Sequence, residues 1–265
     1  MIHNSGANDF VQTRQYLRFA EFVDSCRSTR SIGVCTGRPG IGKEASAQAY
    51  ARWHTLKPLL ENPLRSPPTR VQNCHTAYWD AEISCTLKRL RTGLSGLRSK
   101  FDSLARESLY WYEPERFKEP PRAHFLELFL INNAHRLPYQ CLDAINDFRK
   151  KHQIGFVLLA APGFDRKIKH YDMVGCDVAL FHEYEEPRLE EFRQILELRW
   201  RNEEVTVEDA AIDVIKDVTR SNIQKALNVQ AEIERVRKIN SMSIITPEIV
   251  EAASTSLLLD VPRPK

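Results

Sequence analysis

The sequence predicts an α/β protein in which helices flank a parallel sheet and a smaller, all-helical domain follows. Short apolar runs of strand length recur along the first part of the chain, and segments with helical spacing separate them. After Pro187 only helical patterns remain. Because alternating strands and helices favour a parallel sheet, we expect a helical segment at 1–27, an α/β core at 28–186 and a helical domain at 187–265.

Each element is predicted from its own pattern. The strands are expected at 31–36, 76–80, 125–131, 154–161 and 178–181. The helices are expected at 10–27, 44–53, 86–100, 138–150, 188–201, 207–219, 222–238 and 247–258. Gly93 and Gly96 weaken the helical pattern of 86–100, and 56–70, with four prolines, is predicted to be a loop. Thr206 and Thr246 are the expected starts of two C-terminal helices.

Composition excludes several classes of protein. The chain has 265 residues, of which 42% are hydrophobic and 28% charged, so it can bury a full core and is not disordered throughout. No apolar run reaches the ~18 residues that a membrane span needs, and no signal peptide precedes the first helix. The six cysteines form no Cys-x-x-Cys pair, which favours free thiols in a cytoplasmic protein over disulfides or a metal site.

Charge is unevenly distributed along the chain. Residues 1–100 contain 15 Lys or Arg and 7 Asp or Glu, a balance of +8. Residues 101–265 contain 23 and 28, a balance of −5. The basic part therefore predicts a surface that faces a polyanion.

A glycine-rich loop joins the first predicted strand to the next helix. Residues 37–43, GRPGIGK, fit the phosphate-loop pattern G-x-x-x-x-G-K in the strand–loop–helix context that it requires. Glycines let backbone N–H groups surround phosphate oxygens, and the helix N-terminus adds positive charge. The alternative is an ordinary strand–helix turn. The residues expected to contact a nucleotide are Gly37, Pro39, Gly40, Ile41, Gly42, Lys43 and Glu44.

Two positions depart from the chemistry of an active ATPase. Glu44 stands where Ser or Thr would offer a hydroxyl to Mg²⁺, and it adds negative charge beside the phosphates. In active phosphate-loop ATPases the corresponding apolar strand ends in two acidic residues that hold Mg²⁺ and polarise water. Here the strand is followed by Asn132 and Asn133, whose amides carry no charge and are not bases at neutral pH. The alternatives are that this stretch is merely a strand and turn, or that the amides were engineered to trap a nucleotide, against which Glu44 argues.

Five stretches carry a resemblance to a known family. They are GRPGIGK at 37–43, LFLINNAHRLPYQCLDAI at 128–145, FVLLAAPGF at 156–164, DVALFHEYEEP at 177–187 and SIITPEIVEAA at 243–253. The chain resembles the AAA+ ATPases of the transposition-regulator group, MuB, TniB and TnsC. Replication initiators and IstB-like loaders share most of these motifs.

The resemblance implies an AAA+ P-loop core with a C-terminal lid that binds ATP, oligomerises on duplex DNA and presents that DNA to a transposase or targeting protein. It also shows what is missing. The polar sensor residue corresponds to Ala161, and the arginine that reaches a neighbouring subunit's nucleotide is replaced around Cys176 and Asp177. In the lid, Arg220 or Lys225 is left to serve as the basic residue.

These losses predict a protein that binds a nucleotide more readily than it hydrolyses one. Lys43 and the loop amides still offer a site for ATP or ADP, whereas Mg²⁺ is not expected to be held in the usual way. Efficient hydrolysis needs the missing groups together. No confident catalytic residue therefore remains, and no metal ligand set is expected.

A basic segment supplies the predicted DNA contacts. Leucines between 87 and 97 form one helical stripe, which we expect to pack inward, and basic residues form the stripe beside it. Outward guanidinium and ammonium groups would neutralise phosphates without reading base sequence. The alternative is an ordinary solvated helix face. The predicted contacts are Lys88, Arg89, Arg91, Arg98 and Lys100.

Three functions are consistent with these patterns. The first is a transposition regulator that binds duplex DNA as a homo-oligomer, or as a hetero-oligomer with another AAA+ subunit. The second is a pseudo-ATPase scaffold that binds only protein, as the partner of an active AAA+ subunit. The third is a weak, DNA-stimulated ATPase with unusual metal coordination through Glu44.

Overall fold

The chain divides into two compact units. The computed structural model describes residues 10–62, 70–117, 124–171, 175, 177–201, 205–240 and 242–257. The first unit, here called the core unit, contains the described residues of 18–37 and 43–184. The second, the lid unit, contains those of 10–17, 38–42 and 185–257.

Five parallel strands form the sheet of the core unit, which confirms the predicted fold class. Their order is β2-β3-β4-β1-β5. The strands are β1 (Ile32–Thr36), β2 (Thr76–Asp80), β3 (Leu128–Asn132), β4 (Gly155–Ala160) and β5 (Val178–Glu183). The side chains of β1, β3 and β4 are all buried, because helices cover both faces of a parallel sheet. All five carboxyl ends therefore lie along one edge, where loops and helix N-termini gather.

The helices of the core unit lie between these strands. They are α1 (Arg14–Thr29, which begins in the lid unit), α2 (Lys43–Tyr50), α3 (Trp53–Glu61), α4 (Leu87–Tyr112), α5 (Pro114–Phe117), α6 (Tyr139–His152) and α7 (Phe164–Lys169). A 3₁₀ turn, Ala134–Arg136, follows β3. The core packs between sheet and helices, and includes Phe129, Phe156 and Leu158.

The prediction that 56–70 forms a loop was wrong for its first part. Helix α3 continues to Glu61 with Pro58 inside it. A proline inside a helix costs about 3 kcal/mol. Leu56 and Leu60 are buried in the core, and burying each contributes about 1.5–3 kcal/mol, which outweighs that cost.

Helix α4 is longer than its sequence pattern predicts. It runs without interruption through Gly93 and Gly96 for 26 residues, and Thr86 caps its first turn by accepting the N–H of Arg89. A Cβ at Gly93 would lie 3.4 Å from Nε1 of Trp79, an ordinary van der Waals distance. Burial of Leu90, Leu94 and Phe101 on the same helix outweighs the weak intrinsic propensity of the two glycines.

The lid unit is mainly helical. Its helices are α8 (Leu189–Trp200), α9 (Asp209–Thr219), α10 (Ile223–Asn240) and α11 (Pro247–Ser254). The prediction of helices alone was wrong, because β6 (Thr206–Val207) and β7 (Ile244–Ile245) pair in parallel. Thr206 therefore lies in a strand, whereas Thr246 occupies the N-cap of α11 as predicted. An apolar core that includes Phe192, Leu196 and Ile215 joins the four helices.

Five of the six cysteines lie in the part of the chain that the structure describes, and all five are buried free thiols. Burial raises the pKa of Cys26 and that of Cys35 to about 12, so both stay protonated and unreactive near neutral pH. The sixth, Cys176, lies outside the described residues. No described helix is long and apolar enough to cross a membrane.

Candidate nucleotide site

The glycine-rich loop has the backbone conformation that a phosphate loop needs. It begins after Thr36, the last residue of β1, and ends at Lys43, the first residue of α2. Gly40 and Gly42 have φ angles of 78° and 102°, which side chains other than glycine rarely adopt. The two glycines therefore turn the chain without a Cβ that would fill the space around the loop, and the residues present fit a bound phosphate.

Lys43 bends back across the loop. Its Nζ donates to the carbonyl oxygen of Gly37 at 2.5 Å, and its side chain is half-buried. Burial lowers the pKa of Lys43, while the nearby Cys35 opposes the shift. An incompletely solvated ammonium group at a helix N-terminus is an electrostatic partner for phosphate, which would restore the solvation that the lysine has lost.

The middle of the loop is anchored within the lid unit. Asn222, the residue before α10, donates from Nδ2 to the Pro39 carbonyl oxygen at 2.9 Å, and its Oδ1 accepts the Lys225 N–H at 2.9 Å. The backbone N–H of Gln224 donates to the Gly40 carbonyl oxygen at 3.1 Å. These bonds satisfy the carbonyl oxygens of Pro39 and Gly40 within the lid unit.

Glu44 is exposed in the first turn of α2, and two hydrogen bonds hold its carboxylate in place. Its Oε1 accepts from Gln48 Nε2 at 3.0 Å and from the Tyr78 hydroxyl at 3.2 Å. Burial is the main cause that raises the pKa of Tyr78, and Glu44 adds to the shift, so Tyr78 remains a donor. The carboxylate that replaces the expected hydroxyl is thus positioned by two donors.

The two amides at the end of β3 share one carboxylate. Nδ2 of Asn132 and Nδ2 of Asn133 donate to Oδ1 of Asp80, at 3.2 and 2.8 Å. Asp80 ends β2 and is directly paired with Asn132. Asn133 adopts a φ of 55°, a conformation that asparagine tolerates better than most residues.

Ala161, the predicted sensor position, has no polar side chain, but its backbone contacts a histidine. Ala161 follows β4, and its backbone N–H donates to Nδ1 of His135 at 3.4 Å. This bond requires the proton of the neutral imidazole to lie on Nε2. Burial lowers the pKa of His135, and the charges of Arg136, Lys167 and Lys43 lower it further, so the ring is a neutral donor near this edge.

The donor set favours a nucleotide over a resident metal. Gly40, Gly42 and Lys43 fit phosphate groups, whereas the described residues hold no group of three or more His, Cys, Asp or Glu side chains able to bind a metal ion. Mg²⁺ is usually held by one or two carboxylates together with the phosphates of its nucleotide. Asp80 and Glu44 are the carboxylates available for that arrangement.

The basic segment occupies the first half of α4. The inward packing of its leucines is confirmed, since Leu90 and Leu94 are buried. Lys88, Arg91 and Lys100 are exposed. Arg89 is also exposed, and its Nε lies 2.7 Å from Oε2 of Glu82.

Arg98 does not point outward as its helical position predicts. Its Nη1 contacts Nδ1 of His152, and its guanidinium carbon lies 6.0 Å from the centre of the Phe148 ring. Its side chain is partly buried because α6 packs on this part of α4. Arg98 therefore stabilises packing between helices and is not available to a phosphate backbone.

The remaining predicted residues are distributed between the two units. Arg220 is exposed at the end of α9, with a φ of 52°, and Lys225 is half-buried in the first turn of α10. Asp177 pairs with Arg149 and with Lys150, at 2.9 and 2.8 Å. Cys176, the other residue at the predicted arginine position, lies outside the described residues.

Sequence patterns missed Asp80 and His135 at the sheet edge of the core unit, and they missed Asn222, which anchors the loop within the lid unit. Asp80 could have been found because it ends the strand that precedes β3 along the chain, and carboxyl ends of parallel strands meet at one edge. His135 and Asn222 act through contacts with distant backbone groups, which no local spacing reveals.

Comparisons with known proteins agree with this geometry. A model of the AAA domain family matches residues 26–168, which is more than half of the chain. A protein from Staphylococcus aureus described as a "Potential ATP-binding protein" is 25% identical over 268 residues, covering 96% of this chain and 98% of that protein.

Solved structures share the fold at low sequence identity. The RuvB Holliday junction branch migration motor of Thermotoga maritima is 14% identical, with a TM-score of 0.59, over 92% of this chain and 68% of its own. The ORC2 protein of Aeropyrum pernix, in ADPNP and ADP complexes, is 15% identical, with a TM-score of 0.61, over 93% and 67%. Cdc6p of Pyrobaculum aerophilum is 15% identical, with a TM-score of 0.62, over 94% and 68%.

Proposed function

This chain belongs to the AAA domain family, and from that premise we propose that it binds ATP or ADP without hydrolysing it efficiently and uses the bound state to regulate contacts with DNA. One observation carries the proposal. The phosphate loop keeps Gly40, Gly42 and Lys43 in a binding conformation, whereas the neighbouring strand β3 ends in Asn132 and Asn133.

Nucleotide binding is supported by the electrostatics of the loop. The half-buried ammonium group of Lys43 lies at the N-terminus of α2, so the side chain and the helix dipole favour an anion in the same place. The S. aureus relative carries the same expectation in its description, and the A. pernix ORC2 structure contains nucleotides.

Loss of hydrolysis follows from the groups that are missing. Asn132 and Asn133 cannot remove a proton from water at neutral pH, and Ala161 offers no side-chain donor to a terminal phosphate. Where an ATPase uses an arginine supplied by a neighbouring subunit, that group alone accelerates hydrolysis by about 10³- to 10⁵-fold. A site with such slow hydrolysis would keep its nucleotide bound, so that the bound state itself could serve as the signal.

Nucleotide binding is tested by calorimetric titration with ATP and with ADP. We expect binding by the natural chain and at least a tenfold loss of affinity in Lys43→Ala, because the ammonium partner of the phosphates is removed. Lys57→Ala, an exposed lysine on α3, is the matched control and should bind normally. Absence of binding by the natural chain would refute the proposal.

Hydrolysis requires a separate measurement. We expect phosphate release at the level of the Lys43→Ala variant, even when duplex DNA is saturating. Turnover that is stimulated by DNA and abolished by Lys43→Ala would contradict this and would support metal coordination through Glu44.

We further propose that the exposed face of α4 contacts duplex DNA, and that the chain links this DNA to a transposase or targeting protein as a homo-oligomer or with another AAA+ subunit. Lys88, Arg91 and Lys100 are exposed and carry no ion pair among the described contacts, so all three charges are available to phosphates. Support for a nucleic acid partner comes from the resemblance to transposition regulators and from RuvB, whose description names a DNA junction.

DNA binding is tested through its salt dependence. The slope of log affinity against log salt is negative, and each lost phosphate contact reduces its magnitude by about 0.9, so Lys88→Ala/Arg91→Ala should reduce the magnitude by about 2. Lys57→Ala/Lys151→Ala removes the same charge from other exposed positions of the core unit and should leave the slope unchanged. Equal slopes for the two double variants would refute contact through α4.

Transposase recruitment is tested by co-purification with and without DNA. A complex that requires DNA supports the adaptor. A stable complex with another AAA+ subunit in the absence of DNA, combined with no DNA binding by the natural chain, would instead support the scaffold function.

A further inference from the structure

The sheet edge beside the proposed nucleotide site still carries a carboxylate, although not on β3. Asp80 and Asn132 are the last residues of neighbouring parallel strands and are paired in register. The N–H of Ala81 donates to the carbonyl oxygen of Asn132 at 3.0 Å, which extends the pairing beyond the strand ends. Asp80 is exposed, so its charge is accessible from solvent.

The hydrogen bonds to Asp80 decide how the two amides are oriented. An ionised carboxylate accepts hydrogen bonds and donates none. Nδ2 of Asn132 and Nδ2 of Asn133 must therefore both face Asp80, and both amide oxygens must turn away from it. Without the carboxylate, either amide could rotate and present its nitrogen instead.

A second carboxylate lies on the same face of the sheet. Tyr78 and Asp80 are two residues apart on β2, so their side chains project from one face. The Tyr78 hydroxyl contacts Oε1 of Glu44 at 3.2 Å. Among the described residues, Oδ2 of Asp80 and Oε2 of Glu44 accept no hydrogen bond, so each carboxylate has one oxygen available.

We propose that Asp80 is a positioning residue for a magnesium-bound nucleotide and supplies, from β2, the negative charge that β3 has lost. Mg²⁺ bound to the phosphates would neutralise part of their charge. Asp80 orients the amides so that the oxygens of Asn132 and Asn133 face away from it. These oxygens would be available to accept hydrogen bonds from water bound to the ion. The inference rests on the proposed nucleotide binding and predicts that Mg²⁺ strengthens it, contrary to the expectation from the sequence.

The test compares ATP affinity in excess MgCl₂ with that in excess EDTA. We expect Mg²⁺ to raise the affinity of the natural chain. The ATP affinity of Asp80→Asn should fall about 10- to 100-fold in MgCl₂, the usual effect of removing a group that orients metal contacts. In EDTA it should not fall, because the substitution removes a negative charge beside the metal-free phosphates. Glu82→Gln removes a nearby exposed carboxylate and serves as the matched control, with an unchanged ratio of the two affinities.

A charge relocation separates positioning from a merely structural role. Asp80→Asn/Asn132→Asp keeps the net charge but returns the carboxylate to β3, and we expect it to restore the dependence on Mg²⁺. If Asp80→Asn does not fold, Asn132→Asp in the natural background still tests the proposal. It should increase the ratio of the ATP affinity in MgCl₂ to that in EDTA, because two adjacent carboxylates repel each other unless a cation is present.

The outcomes distinguish this inference from the proposed function. Equal ATP affinities in MgCl₂ and EDTA for the natural chain would overturn the role of Asp80 and leave nucleotide binding standing. Equal losses in both conditions for Asp80→Asn would also overturn it, since a structural defect does not depend on Mg²⁺. No binding of ATP by the natural chain in either condition would refute nucleotide binding itself, and the role of Asp80 with it.

Discussion

Replacing Gly40 by alanine tests how the phosphate loop is anchored. The residue has a φ of 78°, and a Cβ built on it would lie 2.3 Å from Oδ1 of Asn222. The left-handed conformation costs a residue with a Cβ about 1–2 kcal/mol. At 2.3 Å the side chain of Asn222 must also move.

Movement of Asn222 breaks two hydrogen bonds at once. One joins its Nδ2 to the Pro39 carbonyl oxygen, and the other joins its Oδ1 to the N–H of Lys225. Each bond contributes about 0.5–1.5 kcal/mol. We therefore expect Gly40→Ala to lower the free energy of unfolding by about 2–5 kcal/mol in total.

Urea unfolding followed by circular dichroism measures the effect. Gly163→Ala is the matched control, because Gly163 has a φ of 88° but open space around its Cβ position, so only the conformational cost of about 1–2 kcal/mol applies. Asn222→Ala completes a double-mutant cycle. Since Gly40→Ala already displaces Asn222, the two changes together should cost less than the sum of the single effects.

Two results would refute this reasoning. One is a loss for Gly40→Ala no larger than that for Gly163→Ala. The other is additivity of Gly40→Ala and Asn222→Ala within about 0.5 kcal/mol, which would show that the two sites do not interact.

Three further predictions concern stability. Gly96→Ala should raise the free energy of unfolding by about 0.5–1 kcal/mol in urea titrations, because Gly96 lies inside α4 with no atom within 4 Å of its Cβ position, and a loss would contradict open space there. Burial, followed by the charge of Arg98, lowers the pKa of His152, so the unfolded chain takes up a proton first and stability falls as the pH drops below about 6.5. The loss of stability between pH 7.5 and pH 5.5, measured by urea unfolding, should be smaller in His152→Gln than in the natural chain. Equal losses would rule out this residue as a cause. Trp200→Phe should cost about 1–3 kcal/mol, because the indole Nε1 of this buried residue donates to Glu234 at 2.7 Å, and Glu234→Gln, which keeps an acceptor, should cost less in the same measurement.

The fold could be predicted because its signals are local. Strand β2 was predicted with its observed bounds, and β1 and β4 to within one residue at each end, since buried parallel strands are short apolar runs bounded by turn residues. The errors occurred where packing outweighs propensity. Burial of Leu56 and Leu60 stabilises a helix that contains a proline, and burial of Leu90 and Leu94 stabilises a helix that contains two glycines.

The site could be predicted only in part. The positive φ angles at Gly40 and Gly42 confirm the conformation expected of the loop, because glycine spacing encodes backbone geometry directly. The direction of Arg98 could not be predicted from its helical position, since α6, which lies far along the chain, packs against that turn of α4. The contacts of Asn222 with the loop are likewise invisible to local patterns.

The sequence by itself determined the parallel sheet, the mainly helical C-terminal unit, the glycine-rich loop between β1 and α2, and the amides at Asn132 and Asn133, because each depends on residue type or on spacing along a few turns of chain. Only the tertiary structure decided that Asp80 lies beside both amides and fixes their direction, because strand pairing joins residues 52 and 53 positions apart. The uncharged end of β3 thus lies beside a carboxylate on β2, because parallel pairing brings the carboxyl ends of neighbouring strands together.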